Sequence, residues 1–234
     1  MARTLVIGAG GGIGGALVAA LAASGEAVIA ASRTLPDGLP DGVDHVVLDI
    51  ADPASIEAAA ATIDAPLTCV IVATGTLQTP HGGPERALRD LDPALLADYF
   101  AINTIGPALA LKAFVPLLAK QEPAIIACLS ARVGSISDNR LGGWYGYRAS
   151  KAALNQIVRT AAIELARSRP QAVCVALHPG TVDTGLSRPF QKGVPEDKLF
   201  TPAYSAQRLL AVLDALTPAQ SGRVFAWDGS EVAP

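Results

Sequence analysis

Seven short apolar runs recur along the chain: Thr4–Gly8, Ala27–Ala31, His45–Leu48, Thr68–Val72, Ile125–Leu129, Val173–His178 and Val224–Trp227. Each is nearly continuous in its apolar character rather than alternating. That is the pattern of parallel strands covered on both faces. Helical segments fall between them. Gly12–Ala23 is rich in Ala, Leu and Val and stops at Ser24-Gly25. Pro53–Ile63 follows Asp52 as N-cap, with proline in the first turn. Pro93–Leu118 is long and interrupted by Pro107, Tyr147–Arg167 ends before Pro170, and Ala203–Leu216 follows Thr201-Pro202. Ser32 to Asp44, rich in Pro and Gly, predicts little helix. The alternation predicts an α/β protein, a doubly wound, mostly parallel sheet with helices on both faces, in one domain over residues 1–234.

Composition narrows the partners. With 17% charged residues, a formal charge of −3 and no basic run, the chain carries no footprint for nucleic acid. Cys69, Cys128 and Cys174 lie in separate apolar runs and read as core thiols. His45, His81 and His178 are isolated, so no metal site is expected. The uncharged stretch from Thr4 to Gly25 resembles a signal peptide or a membrane span, but its glycines would break a continuous apolar helix. Strand, turn and helix fit better, and a cytoplasmic location without membrane contact is the expectation.

The turn itself reads Gly8-Ala-Gly10-Gly11-Gly12-Ile13-Gly14. Glycines let the backbone turn sharply and approach a pyrophosphate, which the helix N-terminus then meets with free N–H groups. The second run ends at Ala31-Ser32-Arg33, with no acid to bind ribose hydroxyls. Arg33 could pair with a 2′-phosphate, which favours NADP(H) over NAD(H). Asp49-Ile50 closes the third run. Its carboxylate could accept from an adenine amino group or simply serve a turn.

Tyr147 and Lys151 are one helical turn apart, so their side chains share a face. A neighbouring ammonium lowers a phenol's pKa, and a phenol so tuned can exchange protons with a carbonyl or alcohol oxygen. Tyr145 lacks that spacing. Asn103 is followed by Gly106-Pro107. Pro107 has no N–H, so the Asn103 carbonyl loses its helical partner and can hold a water. That water could link Lys151 to solvent.

The glycine turn, Asp49-Ile50, Asn103-x-x-Gly106-Pro107, Tyr147-x-x-x-Lys151 and Pro179-Gly180-x-Val182-x-Thr184 occur in this order. Together they resemble the short-chain dehydrogenase/reductase family, a compact Rossmann fold with a seven-stranded sheet. Ser130 to Asn139 looks like its C-factor-like or sniffer-like carbonyl reductase branch. The resemblance implies an NAD(P)H-dependent oxidoreductase, a carbonyl reductase or alcohol dehydrogenase acting on a small molecule. It implies Tyr147 as acid/base, Lys151 as its partner on the nicotinamide ribose, and Asn103 in a proton relay. It further implies cofactor contacts from Gly8, Gly10, Gly11, Gly12, Ile13, Gly14, Ser32, Arg33, Asp49, Ile50, Ala73, Thr74, Gly75, Asn103, Tyr147, Lys151, Pro179, Gly180, Val182 and Thr184. A homodimer or homotetramer fits related proteins.

Three positions depart from the family pattern. Val72-Ala73-Thr74-Gly75 stands for the usual Asn-Asn-Ala-Gly, and Ile7 for a threonine. Ala131 occupies the place of the serine that polarises the substrate carbonyl. Ser130 is the nearest hydroxyl and Ser135 the next, and either could be re-aimed by the loop. The gap also leaves open an NADP(H)-binding signalling or regulatory protein with little catalysis. Loops Thr181–Thr201 and Ser135–Gly146, carrying Leu186, Phe190, Leu141 and Trp144, could cover an apolar carbonyl substrate. Arg188 could instead meet an anionic group.

Overall fold

The computed structural model describes residues 3–64 and 66–234. Its strands are β1 (Arg3–Ile7), β2 (Ala27–Ser32), β3 (Asp44–Val47), β4 (Cys69–Val72), β5 (Ala124–Leu129), β6 (Ala172–His178), β7 (Thr181–Val182), β8 (Leu199–Phe200) and β9 (Val224–Ala226). Its helices are α1 (Gly12–Ala23), α2 (Pro53–Ala61), α3 (Pro93–Phe100), α4 (Gly106–Phe114), α5 (Tyr145–Ser168) and α6 (Pro202–Ala215). Seven strands form one sheet in the order β3-β2-β1-β4-β5-β6-β9. All of its pairings are parallel. β7 and β8 pair separately, an addition the apolar pattern does not predict because each is two residues long.

Both sheet faces are packed except along the edge strand β3, where Val47 is exposed. Leu5 and Ile7 point to the side packed by α2, α4 and α5, and Val6 to the side packed by α1 and α6. This two-sided burial is why the strands read as unbroken apolar runs. As expected, β2 passes to β3 without a helix.

The strand order reverses on either side of β1, which opens a crevice at the carboxyl ends of β1 and β4. Asp52 caps α2, accepting from the Ala54 N–H at 2.9 Å. The helical run Pro93–Leu117 is long and apolar enough to cross a membrane, but Leu95, Tyr99, Ala110, Leu111 and Phe114 are buried in the protein's own core. Between α3 and α4 the helix widens into a π-turn at Ala101–Ile105, where the Gly106 N–H donates to the Ala101 carbonyl. A widened turn just before Pro107 is how the chain accommodates a residue that cannot donate.

Candidate active site

Two cavities meet at the crevice, and Thr74 and Gly75 line both. The first, of about 560 Å³, lies over the glycine turn and is walled by Gly8, Gly10, Gly11, Ser32, Arg33, Asp49 and Ile50. The turn is closed to side chains at Gly8, Gly12 and Gly14. Gly8 has φ +93, and a Cβ at Gly14 would overlap the Gly8 carbonyl. A Cβ at Gly12 would come within 2.7 Å of the Thr184 methyl, so the segment just after β7 sits directly on the turn. Ala73 is not on the cavity wall; its N–H donates to the Ile7 carbonyl at 2.7 Å and braces the turn from below.

The second cavity, of about 350 Å³, is lined by Ile13, Tyr147, Lys151, Pro179, Gly180, Val182 and Thr184. Apolar side chains close its far side, among them Leu77, Val133, Trp144, Leu186 and Phe190. Trp144 stands edge-on to Tyr147 and to Phe190, with ring centroids 6.1 and 5.3 Å apart.

Residues 2–194 match the family described as short chain dehydrogenase. The chain belongs to this family. Among relatives, it is 41% identical over 147 residues to C-signal of Myxococcus xanthus, covering 62% of this chain and 82% of that protein. It is 34% identical to the 1-hydroxy-2-glutathionyl-2-methyl-3-butene dehydrogenase of a Rhodococcus, over 98% of both chains. Among solved structures, NADPH-bound carbonyl reductase from chicken fatty liver superposes with a TM-score of 0.86 at 29% identity, covering 99% of this chain and 98% of that one. An NADP-bound short-chain dehydrogenase/reductase from Burkholderia multivorans gives 0.84 at 26%, over 100% and 99%.

This short-chain dehydrogenase is therefore an oxidoreductase built around a nicotinamide cofactor. The trough fits such a group. Thr74 lines both cavities, and its buried hydroxyl has no partner among the described residues, leaving a donor-acceptor unused beside the trough. The glycine turn presents bare backbone at the start of α1. Arg33 is exposed at the outer end. Ser32 Oγ lies 2.8 Å from the Thr34 carbonyl and 3.0 Å from His45 Nε2, so its proton is directed inward. Asp49 Oδ1 accepts from the Ala51 N–H at 3.0 Å, so the turn role is real, while the side chain still faces the cavity.

Tyr147 and Lys151 share the cavity wall, one turn apart on α5. The electrostatics correct the simple picture of a phenol lowered by its neighbour. Burial pushes the Tyr147 phenol well above the ordinary tyrosine range, with Tyr99 adding to the rise. Burial pulls Lys151 down to about 8. The ammonium donates to the Leu129 carbonyl at 2.8 Å and sits 6.0 Å from the Tyr147 ring centre, and burial dominates the phenol.

Asn103 is fully buried beside the trough and does not line it. Its Oδ1 accepts from the Thr76 N–H at 2.8 Å, and its Nδ2 donates to the Thr76 carbonyl at 3.1 Å and to Ser150 Oγ at 3.2 Å. The side chain thus ties the loop after β4 to α5. A Cβ placed on Gly75 would stand 3.5 Å from both Asn103 Oδ1 and Lys151 Nζ, so these groups flank the junction of the two cavities.

The two serines near Ala131 are engaged elsewhere. Ser130 Oγ lines the cavity but donates to Asn155 Oδ1 at 2.6 Å. Ser135 Oγ lies 3.4 Å from the Pro234 carbonyl and accepts from the Asp138 N–H. In this arrangement Ser130 is held against α5 and Ser135 against Pro234 and Asp138, while Ala131 itself lines the cavity without a hydroxyl. His178, also on the wall, is pushed down to about 4, by burial first and then by Arg132, and is uncharged at neutral pH.

The helix of the pair begins at Tyr145, two residues before the sequence pattern suggests. Trp144 sits left-handed at φ 55 just ahead of it. Glu85 reaches across from the loop after β4 to meet this first turn, with Gly146 N–H 3.1 Å from Oε1 and 3.2 Å from Oε2. No periodicity or motif in the sequence marks Glu85, since the partner lies 61 positions away.

Proposed function

We propose that this chain is an NADPH-dependent carbonyl reductase, working in reverse as an alcohol dehydrogenase, on a small apolar ketone or aldehyde. The observation that carries the reading is the Tyr147–Lys151 pair on the wall of an apolar cavity that opens into the glycine-turn trough. The chicken carbonyl reductase, similar over nearly its whole length, is described with NADPH bound. Arg33 at the outer end of the trough supports a 2′-phosphate there.

In this reading a bound reduced nicotinamide supplies the hydride. Tyr147 donates the proton to the substrate oxygen. A phenol held high by burial keeps that proton throughout the neutral range, which suits reduction; the reverse oxidation needs the phenolate and gains as pH rises. Lys151, held by the Leu129 carbonyl on the same cavity wall as Tyr147, would hold the nicotinamide ribose. The widened turn at Asn103 offers a route for proton supply from solvent.

The walls set the substrate class. Leu77, Val133, Trp144, Leu186, Phe190 and Val194 exclude water from the reacting carbon and favour an apolar body. The loop Thr181–Thr201, the lid of the site, reaches it through Leu186, Ser187, Phe190 and Val194, whereas Arg188 and Leu141 lie off the cavity walls. Gln191 fastens the lid by donating to Asp183 and Ser187 at 2.9 and 2.8 Å.

Tyr147→Phe, assayed with NADPH and NADH against a panel of aldehydes, ketones and alcohols, is expected to lose turnover while cofactor affinity stays near wild type. Unchanged turnover in that variant would falsify the mechanism. A second reading, a dinucleotide-binding signalling protein with slow chemistry, is favoured by the absent hydroxyl at Ala131 and by the similarity to C-signal. It expects saturable cofactor binding with no consumption across the panel.

A further inference from the structure

Glu85 is 3% exposed, yet no lysine, arginine or histidine pairs with it among the described residues. A buried carboxylate without a cation is costly unless hydrogen bonds and a positive dipole compensate. Here both oxygens face the Gly146 N–H at the N-terminus of α5, where the helix dipole is positive. The Glu85 main-chain carbonyl also accepts from the Trp144 N–H at 2.6 Å. The residue therefore takes over the cap that α5 lacks, since Trp144 provides no capping side chain.

The contact is tight on every side. A Cβ on Gly146 would stand 2.6 Å from Tyr99 Cδ2, 2.8 Å from Glu85 Oε1 and 2.9 Å from Leu96 Cδ2. Tyr147 is the next residue, and its ring packs edge-on against Tyr99 at 6.2 Å. The loop that delivers Glu85 also carries Thr74 and Gly75, the shared wall of the two cavities, and is fastened by Asn103 to Thr76 and by Tyr99 Oη to the Leu77 carbonyl at 3.1 Å.

We propose that Glu85 is a positioning residue: its buried carboxylate clamps the first turn of α5 and thereby aims Tyr147 into the cavity, in register with the loop that walls the cofactor trough. The proposal rests on the catalytic reading of Tyr147 above. It assigns Glu85 no contact with the substrate and no proton of its own.

The test approaches the contact from both ends. Glu85→Ala removes the acceptor, Gly146→Ala pushes it away, and Glu85→Gln keeps an acceptor without the charge. For the best substrate of the wild-type enzyme, a tyrosine displaced by about 1 Å is expected to lower kcat by roughly tenfold to a hundredfold in Glu85→Ala and in Gly146→Ala. KM and cofactor affinity should change little, Glu85→Gln should recover most of kcat, and the double variant should be no worse than the poorer single one. Assays run well below each variant's unfolding temperature separate this from lost stability. Should Glu85→Ala not fold, Gly146→Ala and Glu85→Gln carry the comparison. The proposal is overturned if Gly146→Ala or folded Glu85→Ala keeps wild-type kcat, or if Glu85→Gln falls as far as Glu85→Ala. Tyr147→Phe is run alongside: if it too keeps turnover, the catalytic reading has failed, whereas its loss beside an unaffected Glu85→Ala removes only the clamp.

Discussion

The two ends of the trough are made of different material. Over the glycine turn the wall is drawn from the glycines themselves and from short stretches that follow β2, β3 and β4. At the other end the wall is side chain, contributed by the segment after β5, the start of α5, the end of β6 and the lid. The turn's backbone is set locally, and at Gly8 and Gly14 it tolerates no added atoms. A wall of side chains from distant segments can be re-lined while Tyr147 and Lys151 stay in place. The difference teaches where the chain is rigidly specified and where substrate range is decided.

The largest expected effect tests the backbone end. Gly14→Ala places a methyl on the Gly8 carbonyl. It should cost about 3 kcal/mol or more in stability and abolish tight dinucleotide binding. Thermal unfolding and cofactor fluorescence titration measure both, and wild-type values would end the claim that Gly14 has no spare room. At the side-chain end, Ala131→Ser should instead improve the enzyme. A hydroxyl at that position can donate to the substrate oxygen, a contact worth about 2.7–4 kcal/mol where it has been removed elsewhere. A gain of roughly tenfold or more in kcat is expected; no gain means another group already polarises the carbonyl.

Lys151→Met separates stability from function. The buried amine is lowered from the ordinary 10.5 to about 8. Below about 8 the folded protein carries the full cost of a buried ammonium; as pH rises towards 10.5 the folded form loses its proton first and the cost fades. The cofactor-free variant should therefore be more stable by about 2 kcal/mol at neutral pH, allowing for the Leu129 carbonyl it leaves unpaired. That advantage should shrink in alkaline urea titrations, while turnover is lost. The smallest effect belongs to the exposed rim: Arg33→Ala should weaken NADPH binding by roughly tenfold, about 1.4 kcal/mol, with NADH little changed. Equal losses for the two cofactors would remove Arg33 as a phosphate ligand.

Much of the backbone end was legible in advance. A run of glycines between an apolar strand and an Ala-rich helix has few other uses, and the unbroken apolar runs report a sheet buried on both faces. Spacing alone placed Tyr147 and Lys151 on one face, because four residues is one helical turn. The sign of their electrostatics was not legible. Composition shows that an ammonium is near a phenol, but only packing reveals that both are desolvated and that Leu129 draws the ammonium away.

By itself, then, the sequence determined the layered α/β plan, the dinucleotide turn and the identity of the tyrosine–lysine pair, since each follows from residue types within a few positions of one another. Only the tertiary structure decided that Ser130 is tied to Asn155, that Thr74 is left with an unused hydroxyl, and that Glu85 holds the start of α5. Those depend on side chains meeting across long stretches of chain, where no periodicity connects the partners and only the close packing of the folded interior selects them.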